Sequence, residues 1–115
     1  MPQVLNSRCW SRAVSGQDLR QALSDCNAAL RLKPNTAAFL DSRGLVYLRQ
    51  NDYDKAIAYY DAALHLQPKI AWSLYGRGLA RLHKGLMAEG QADIAAANAL
   101  EPKIAERASS YGITR

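Results

Sequence analysis

The chain has no run that approaches the ~18 consecutive apolar residues of a membrane-spanning helix, so no membrane partner is expected. It opens without the basic-then-apolar pattern of a secretory leader. Because it enters a helical pattern almost at once, its abrupt start suggests a piece cut from a longer protein. Histidine is scarce: His65 and His83 lie in different predicted helices, and no cysteine or carboxylate cluster joins them. No metal and no cofactor are expected from such spacing. His65 follows Asp61 by one helical turn, which fits an exposed pair on one helix face. Ser7, Ser11, Ser42 and Ser73 lack a nucleophile-elbow setting, no strand is evident, and no glycine-rich phosphate loop follows one. With no acid/base pair at a usable spacing, the chain is expected not to be an enzyme.

Cysteine is nearly absent too. Cys9 and Cys26 fall on the two helices of one predicted hairpin. The default reading is two small apolar core side chains with free thiols in a reducing compartment. The alternative is a disulfide across the hairpin in an oxidising one. Two cysteines do not fix the compartment, and the cytoplasm is the default over the periplasm.

What is present is a repeating helical pattern. The 115 residues, 49% hydrophobic and 22% charged, suit one globular domain with a modest core. Pro34, Pro68 and Pro102 are evenly spaced, each after an apolar run. In Ala37 to Pro68, Phe39, Leu40, Leu45, Tyr47 and Leu48 alternate with Asp41, Arg43 and Arg49. Ala56, Ile57, Tyr60, Ala63 and Leu64 then form one stripe of a second helix. Asp52 is a good N-cap for that second helix, and Pro68 stops it. Neither helix has enough apolar surface to fold alone, so the units must stack.

At this point a resemblance becomes specific. The unit is similar to a tetratricopeptide repeat, a helix-turn-helix whose period, about 34 residues, is the interval between successive prolines here. Leu40, Arg43, Gly44 and Tyr47 fall on the family's first-helix pattern, and Ala56, Tyr60, Ala63 and Pro68 on its second. Arg43 stands where the family usually has leucine, and Leu40 where it has tryptophan. The third unit matches through Leu74, Arg77, Gly78, Gly90, Ile94, Ala97 and Pro102, with Gly85 at its turn. Gly90 should weaken its helix by roughly 1 kcal/mol relative to alanine. The first unit is the least regular. Asp18 and Gln21 suggest a capping box for its second helix. Aligning Ser7-Arg8-Cys9 with Ser42-Arg43-Gly44 needs one extra residue, most easily at Ser15-Gly16-Gln17, and turns Trp10 inward.

The resemblance implies an all-α, right-handed α-solenoid of three antiparallel helix-turn-helix repeats, at about 3–36, 37–70 and 71–104. A short capping helix at about 103–111 follows, and the last residues, Gly112 to Arg115, should fray. It further implies a non-catalytic protein–protein interaction module. Its concave groove, lined by the first helices, would hold a peptide or partner segment. By matching positions the groove residues are Trp10, Ala38, Asp41, Leu45, Arg49, Trp72, Tyr75, Leu79 and His83. Trp72 and Tyr75 either anchor a partner or pack against the capping helix. The net charge of +5, with Arg8, Arg12, Arg49, Arg77 and Arg81 on first helices, suggests an acidic partner segment. No basic run or aromatic-studded basic sheet points to nucleic acid. Relatives that clamp acidic chaperone tails need cationic groove residues. Ser7, Ser11, Ser42, Trp72 and Gly76 stand there instead, so a chaperone C-terminal tail is not an expected partner. Two alternatives remain: a self-associating scaffold, and a targeting or regulatory domain of a longer enzyme. The alanine-rich units resemble bacterial members.

Overall fold

The computed structural model describes residues 1–114 and contains, among them, seven α-helices and no strand. They are α1 (Pro2–Ser15), α2 (Leu19–Leu32), α3 (Ala37–Arg49), α4 (Tyr53–Leu66), α5 (Ala71–His83), α6 (Met87–Leu100) and α7 (Ile104–Ser110). Helices pair as α1/α2, α3/α4 and α5/α6, and each pair stacks on the next to give an all-α solenoid closed by α7. No helix among the described residues is long and apolar enough to cross a membrane.

The turns explain where each helix stops. Asn51 and Gly85, at equivalent places in the second and third units, both take positive φ, at 62° and 83°. Gly16 does the same at 72° after α1. From Asn51 to the start of α4 there is one intervening residue, but Gln17 and Asp18 both lie between Gly16 and Leu19. The extra residue of the first unit is therefore in this turn. It forces Asp18 into the left-handed region at φ 52°, where its side chain makes no cap bond. The expected capping box is thus absent. Asp52, in an ordinary turn, does cap α4 by accepting the Lys55 N–H at 3.3 Å.

Within each pair the helices approach most closely at one point, and three different chemistries meet there. In the middle pair the Tyr60 ring lies on Gly44, where an added Cβ would stand 3.0 Å from Cδ1. The other side of that ring lies on Gly76 of the next pair, where a Cβ would stand 2.4 Å from Cζ. Tyr60 is fully buried between the two helices. In the third pair Gly78 faces Ile94, and the backbones of Gly78 and Gly90 are in direct contact. In the first pair a Cys9–Cys26 disulfide occupies the same place. The free-thiol reading of these cysteines is thereby overturned: Cys9 stands at the glycine position of a close helix contact and faces Cys26 across it. Disulfides persist in oxidising surroundings.

A second set of contacts ties each first helix to its own second helix. Asp25 accepts from Arg8 Nε and Nη2 at 3.0 and 2.8 Å and from Arg12 Nη1 at 2.7 Å. Asp93 accepts in the same way from Arg77 at 2.9 and 2.8 Å and from Arg81 at 2.7 Å. The separations, 17 and 13 residues in the first unit against 16 and 12 in the third, show the same one-residue insertion. In the middle unit Tyr59 replaces the aspartate, with Arg43 4.0 Å above its ring and Tyr47 stacked on it. Asp61 pairs with Arg77 at 2.9 Å, not with His65, which is exposed.

Two outcomes follow for stability. Reducing the Cys9–Cys26 bond should lower the unfolding free energy by about 3 kcal/mol, because it frees a short loop in the unfolded chain. Urea denaturation with and without reductant measures this. Gly90→Ala should destabilise by about 1–3 kcal/mol through overpacking against the Gly78 carbonyl, although alanine is the better helix former. The same denaturation assay would expose the opposite sign.

Candidate functional site

The inner wall of the stack is built from the inward faces of α1, α3 and α5. Trp10 is half-buried and meets Trp72 edge-on, with ring centres 5.6 Å apart. This is the inward orientation that the shifted register required. Trp72 and Tyr75 are both buried, and their rings lie 6.2 Å apart. Leu45 and Leu79 are buried as well, while Ala38 and His83 are exposed at opposite ends of the wall. His83 stacks on Tyr53 at 4.8 Å. Arg49 donates to the Val14 carbonyl at 3.2 Å and lies against Gly16.

The wall is not open. After α7 the chain turns at Tyr111, and Gly112, at φ 76°, sends it back along the concave side. Tyr111 stands edge-on to Trp72 at 5.9 Å, and the Arg107 guanidinium lies 5.1 Å from the same indole. Ile113 is only 5% exposed, in the same apolar cluster as Leu48 and Leu79. The expectation of an inner wall left free for another polypeptide is therefore corrected: the chain's own tail covers its middle. Of the two readings for Trp72, the contact found is packing against the terminal segment. Gly112 to Thr114 do not simply hang free either, since Ile113 has an apolar seat and its N–H bonds to Ala108 O at 2.9 Å. Arg115 lies outside the described residues.

Two recesses remain, one beside Arg107 of α7 and one beside Gly112 to Thr114. One, of about 370 Å³, is lined by Asn6, Trp10, Ala38, Asp41, Trp72 and Arg107 among others. The other, of about 340 Å³, lies near Leu48, Arg49, Leu79, His83 and Ile113. The nine groove residues named from sequence thus divide: Trp10, Ala38, Asp41 and Trp72 line the first recess. Arg49, Leu79 and His83 line the second. Leu45 and Tyr75 line neither and belong to the core.

Asp41 is the electrostatic centre of the first recess. It is buried and accepts a 2.5 Å hydrogen bond from the Ser73 hydroxyl. Burial raises its carboxyl to about 6, against the opposing effects of Ser73 and the Arg107 charge. Burial also pushes the Tyr60 hydroxyl up, and the Asp41 charge adds to it. The Tyr60 hydroxyl, the Trp72 indole N–H and the Asn6 Oδ1 are buried without a hydrogen-bond partner among the described residues. By contrast, the arginines expected to face an acidic ligand are engaged inside the chain. Arg8 and Arg12 hold Asp25, and its carboxyl lies below the ordinary range, chiefly through the Arg8 hydrogen bonds. Arg77 and Arg81 hold Asp93, and Arg49 holds a backbone carbonyl.

Sequence reasoning missed Arg107, Tyr111, Ile113 and Asn6. A lone apolar residue beyond a glycine carries no periodicity, so Ile113 gave no signal beyond its own hydrophobicity.

Helix pairs stacked in this way define a helical-repeat solenoid. A family model described as tetratricopeptide repeat matches residues 11–71 and 42–98, and the chain belongs to that family. No curated protein matches the sequence. Among solved structures, it is similar to the type III secretion translocator chaperone SycD of Yersinia enterocolitica, described as an alternative dimer. That likeness has 21% identity and TM-score 0.79 and covers 96% of this chain and 86% of that one. It is equally similar to the first repeat domain of human RPAP3, with 20% identity, TM-score 0.80, and 97% and 95% covered. At these identities the likeness is one of fold. Proteins of the family are generally non-catalytic interaction modules.

The raised Asp41 carboxyl gives a signed pH effect. The folded chain holds this proton more tightly than the unfolded one, whose carboxyl sits near 3.8. The Asp41 contribution is therefore most favourable below that value and is lost as pH rises towards about 6. Asp41→Asn should remove this loss, so that its stability gain over the parent grows between pH 4 and pH 6. Thermal unfolding of both proteins across that range is the measurement, and the difference cancels the carboxylates they share.

Proposed function

We propose that this chain is a non-catalytic protein–protein interaction module whose concave face receives a peptide or partner segment. The observation that carries the reading is that this face already accommodates polypeptide. The side chains of Tyr111 and Ile113 are seated against Trp72 and the Leu48–Leu79 cluster. A wall that packs aromatic and aliphatic side chains supplied by an irregular strand has the shape and chemistry for a partner's strand. Arg49, Leu79 and His83 at one end, with Trp10, Ala38, Asp41 and Trp72 at the other, are the residues a longer segment would meet. A chaperone C-terminal tail is not part of this reading, since Ser7, Ser11, Ser42, Trp72 and Gly76, at the clamp positions, carry no cation.

Self-association is a second reading, favoured by the outward side of α6. Ala88, Ala92, Ala95, Ala96 and Ala99 are exposed there, flanked by Leu86, Met87 and Leu100, which are 39%, 53% and 45% exposed. A homodimer formed on this face would bury the last helix pair. Sedimentation over a wide concentration range tests it, and a strict monomer removes it.

A displayed library of random peptides panned on the purified chain should yield binders that shift the indole N–H resonances of Trp10 and Trp72. Binders that perturb only outward-facing amides of α4 and α6 would move the binding surface to the convex side.

A further inference from the structure

The tail that covers the concave wall describes what the wall accepts. Arg107 presents its guanidinium to the Trp72 face at 5.1 Å while pairing with Glu101 at 3.0 Å. One helical turn later Tyr111 meets the edge of the same indole. Just beyond it, Ile113 is buried beside Leu79. The order runs from Trp72 in the first turn of α5 towards His83 in its last, so the tail travels in the direction of α5 itself.

Its attachment is local. Ile104 and Ala108, both fully buried, fasten α7 to the end of the stack. Beyond α7, among the described residues, Tyr111 and Ile113 hold the strand to the wall. Gly112 between them has positive φ and open space around its α-carbon. Ile113 and Thr114 can therefore leave the wall by rotation at Gly112, giving up the Ile113 N–H bond to the Ala108 carbonyl, while Tyr111 and α7 stay in place. The terminal segment also underfills its site, since a recess of about 340 Å³ remains beside Gly112 to Thr114 and one of about 370 Å³ beside Arg107. A longer segment would bury surface there that the tail leaves wet. The recess nearer Trp72 carries Asp41 and Glu101, with Arg107 as its cation. The first-helix arginines of the neighbouring units are spent on Asp25 and Asp93.

Resting on the concave-face reading above, we propose that residues 107–114 are an internal occupant of the polypeptide site. The partner they stand in for is a peptide segment that runs parallel to α5. It carries a basic side chain, an aromatic one, and a β-branched aliphatic one, in the spacing of Arg107, Tyr111 and Ile113. The basic group takes the aromatic and acidic recess at Trp72 and Asp41, displacing Arg107. The aliphatic group replaces Ile113. The partner is thus basic and apolar, not acidic, and its apparent affinity is reduced by the fraction of time the tail is seated.

The test uses the full chain, its Ile113→Asp and Gly112→Val variants, and a fluorescein-labelled peptide of residues 104–114. Ile113→Asp places a charge in the apolar seat. Gly112→Val strains the positive φ and leaves Ile113 intact. Circular dichroism should show both variants folded, because Ile104 and Ala108, which fasten α7, are unchanged in each. Fluorescence anisotropy should show the peptide binding each variant at least about tenfold more tightly than the parent chain. Peptides carrying Glu at the Arg107 position, or Asp at the Ile113 position, should lose that binding. Equal affinity for all three chains, or binding undiminished by the Glu substitution, would overturn the proposal. Dimerisation of the parent chain that the peptide dissolves would assign the wall to the tail of a second copy, and would overturn it too. If library peptides bind the wall of the loosened variants and the tail peptide does not, the internal occupant fails alone. If neither binds, the concave-face reading falls with it.

Discussion

Everything in this molecule is spaced by the closest approach of the two helices within each pair. At that point there is room for one small residue on the first helix and one partner on the second. Cys26, Tyr60 and Ile94 are the partners, at the same place in successive units. Cys9, Gly44 and Gly78 are the small residues opposite them. A covalent sulfur bridge, a tyrosine ring on glycine and an isoleucine on glycine are three solutions to one steric problem. The middle solution does most for the stack. The Tyr60 ring is shared between Gly44 of its own pair and Gly76 of the next, so it sets the distance between α3 and α5. That distance is the width of the concave wall.

Much of this was legible in the chain. The repeat period, the inward turn of Trp10 and the capping of α4 by Asp52 all rest on local rules of spacing and hydrogen bonding. So does the extra residue of the first unit, whose presence is written in the offset between Arg8–Asp25 and Arg77–Asp93. Other features depended on contacts that no local rule contains. Asp18 has a capping residue's chemistry and lacks its geometry, because the longer turn puts it at positive φ. The arginines were readable as charge, but whether a charge is free depends on what lies opposite it across the helix pair. Ile113 was invisible because its seat is assembled from residues far away in the sequence. The cysteines had the right helices for a bond, yet their distance was not readable from composition.

The surface charge and the wall chemistry therefore separate. The net charge of +5 invites an acidic ligand. The cations of the first helices instead brace the helix pairs from within, through buried aspartates that bind two arginines at once in the first and third pairs and through the Tyr59 ring in the middle one. What faces inward is aromatic and aliphatic, with the Asp41 carboxyl at one end and Arg49 and His83 at the other. The bracing arginines fix the helices that carry these inward side chains.

The contact between Gly78 and Gly90 has a consequence for how this sequence can change. A methyl group added at either position would come within 2.9 Å of the other's carbonyl oxygen, and both carbonyls belong to rigid helix backbone. A methyl group at either position therefore pushes α5 from α6, a separation the first two pairs already have, since Ala22 and Ala56 stand where the third pair has Gly90. The missing methyl group thus makes the third pair the tightest of the three, so the spacing of each pair is written in a single side chain on its second helix.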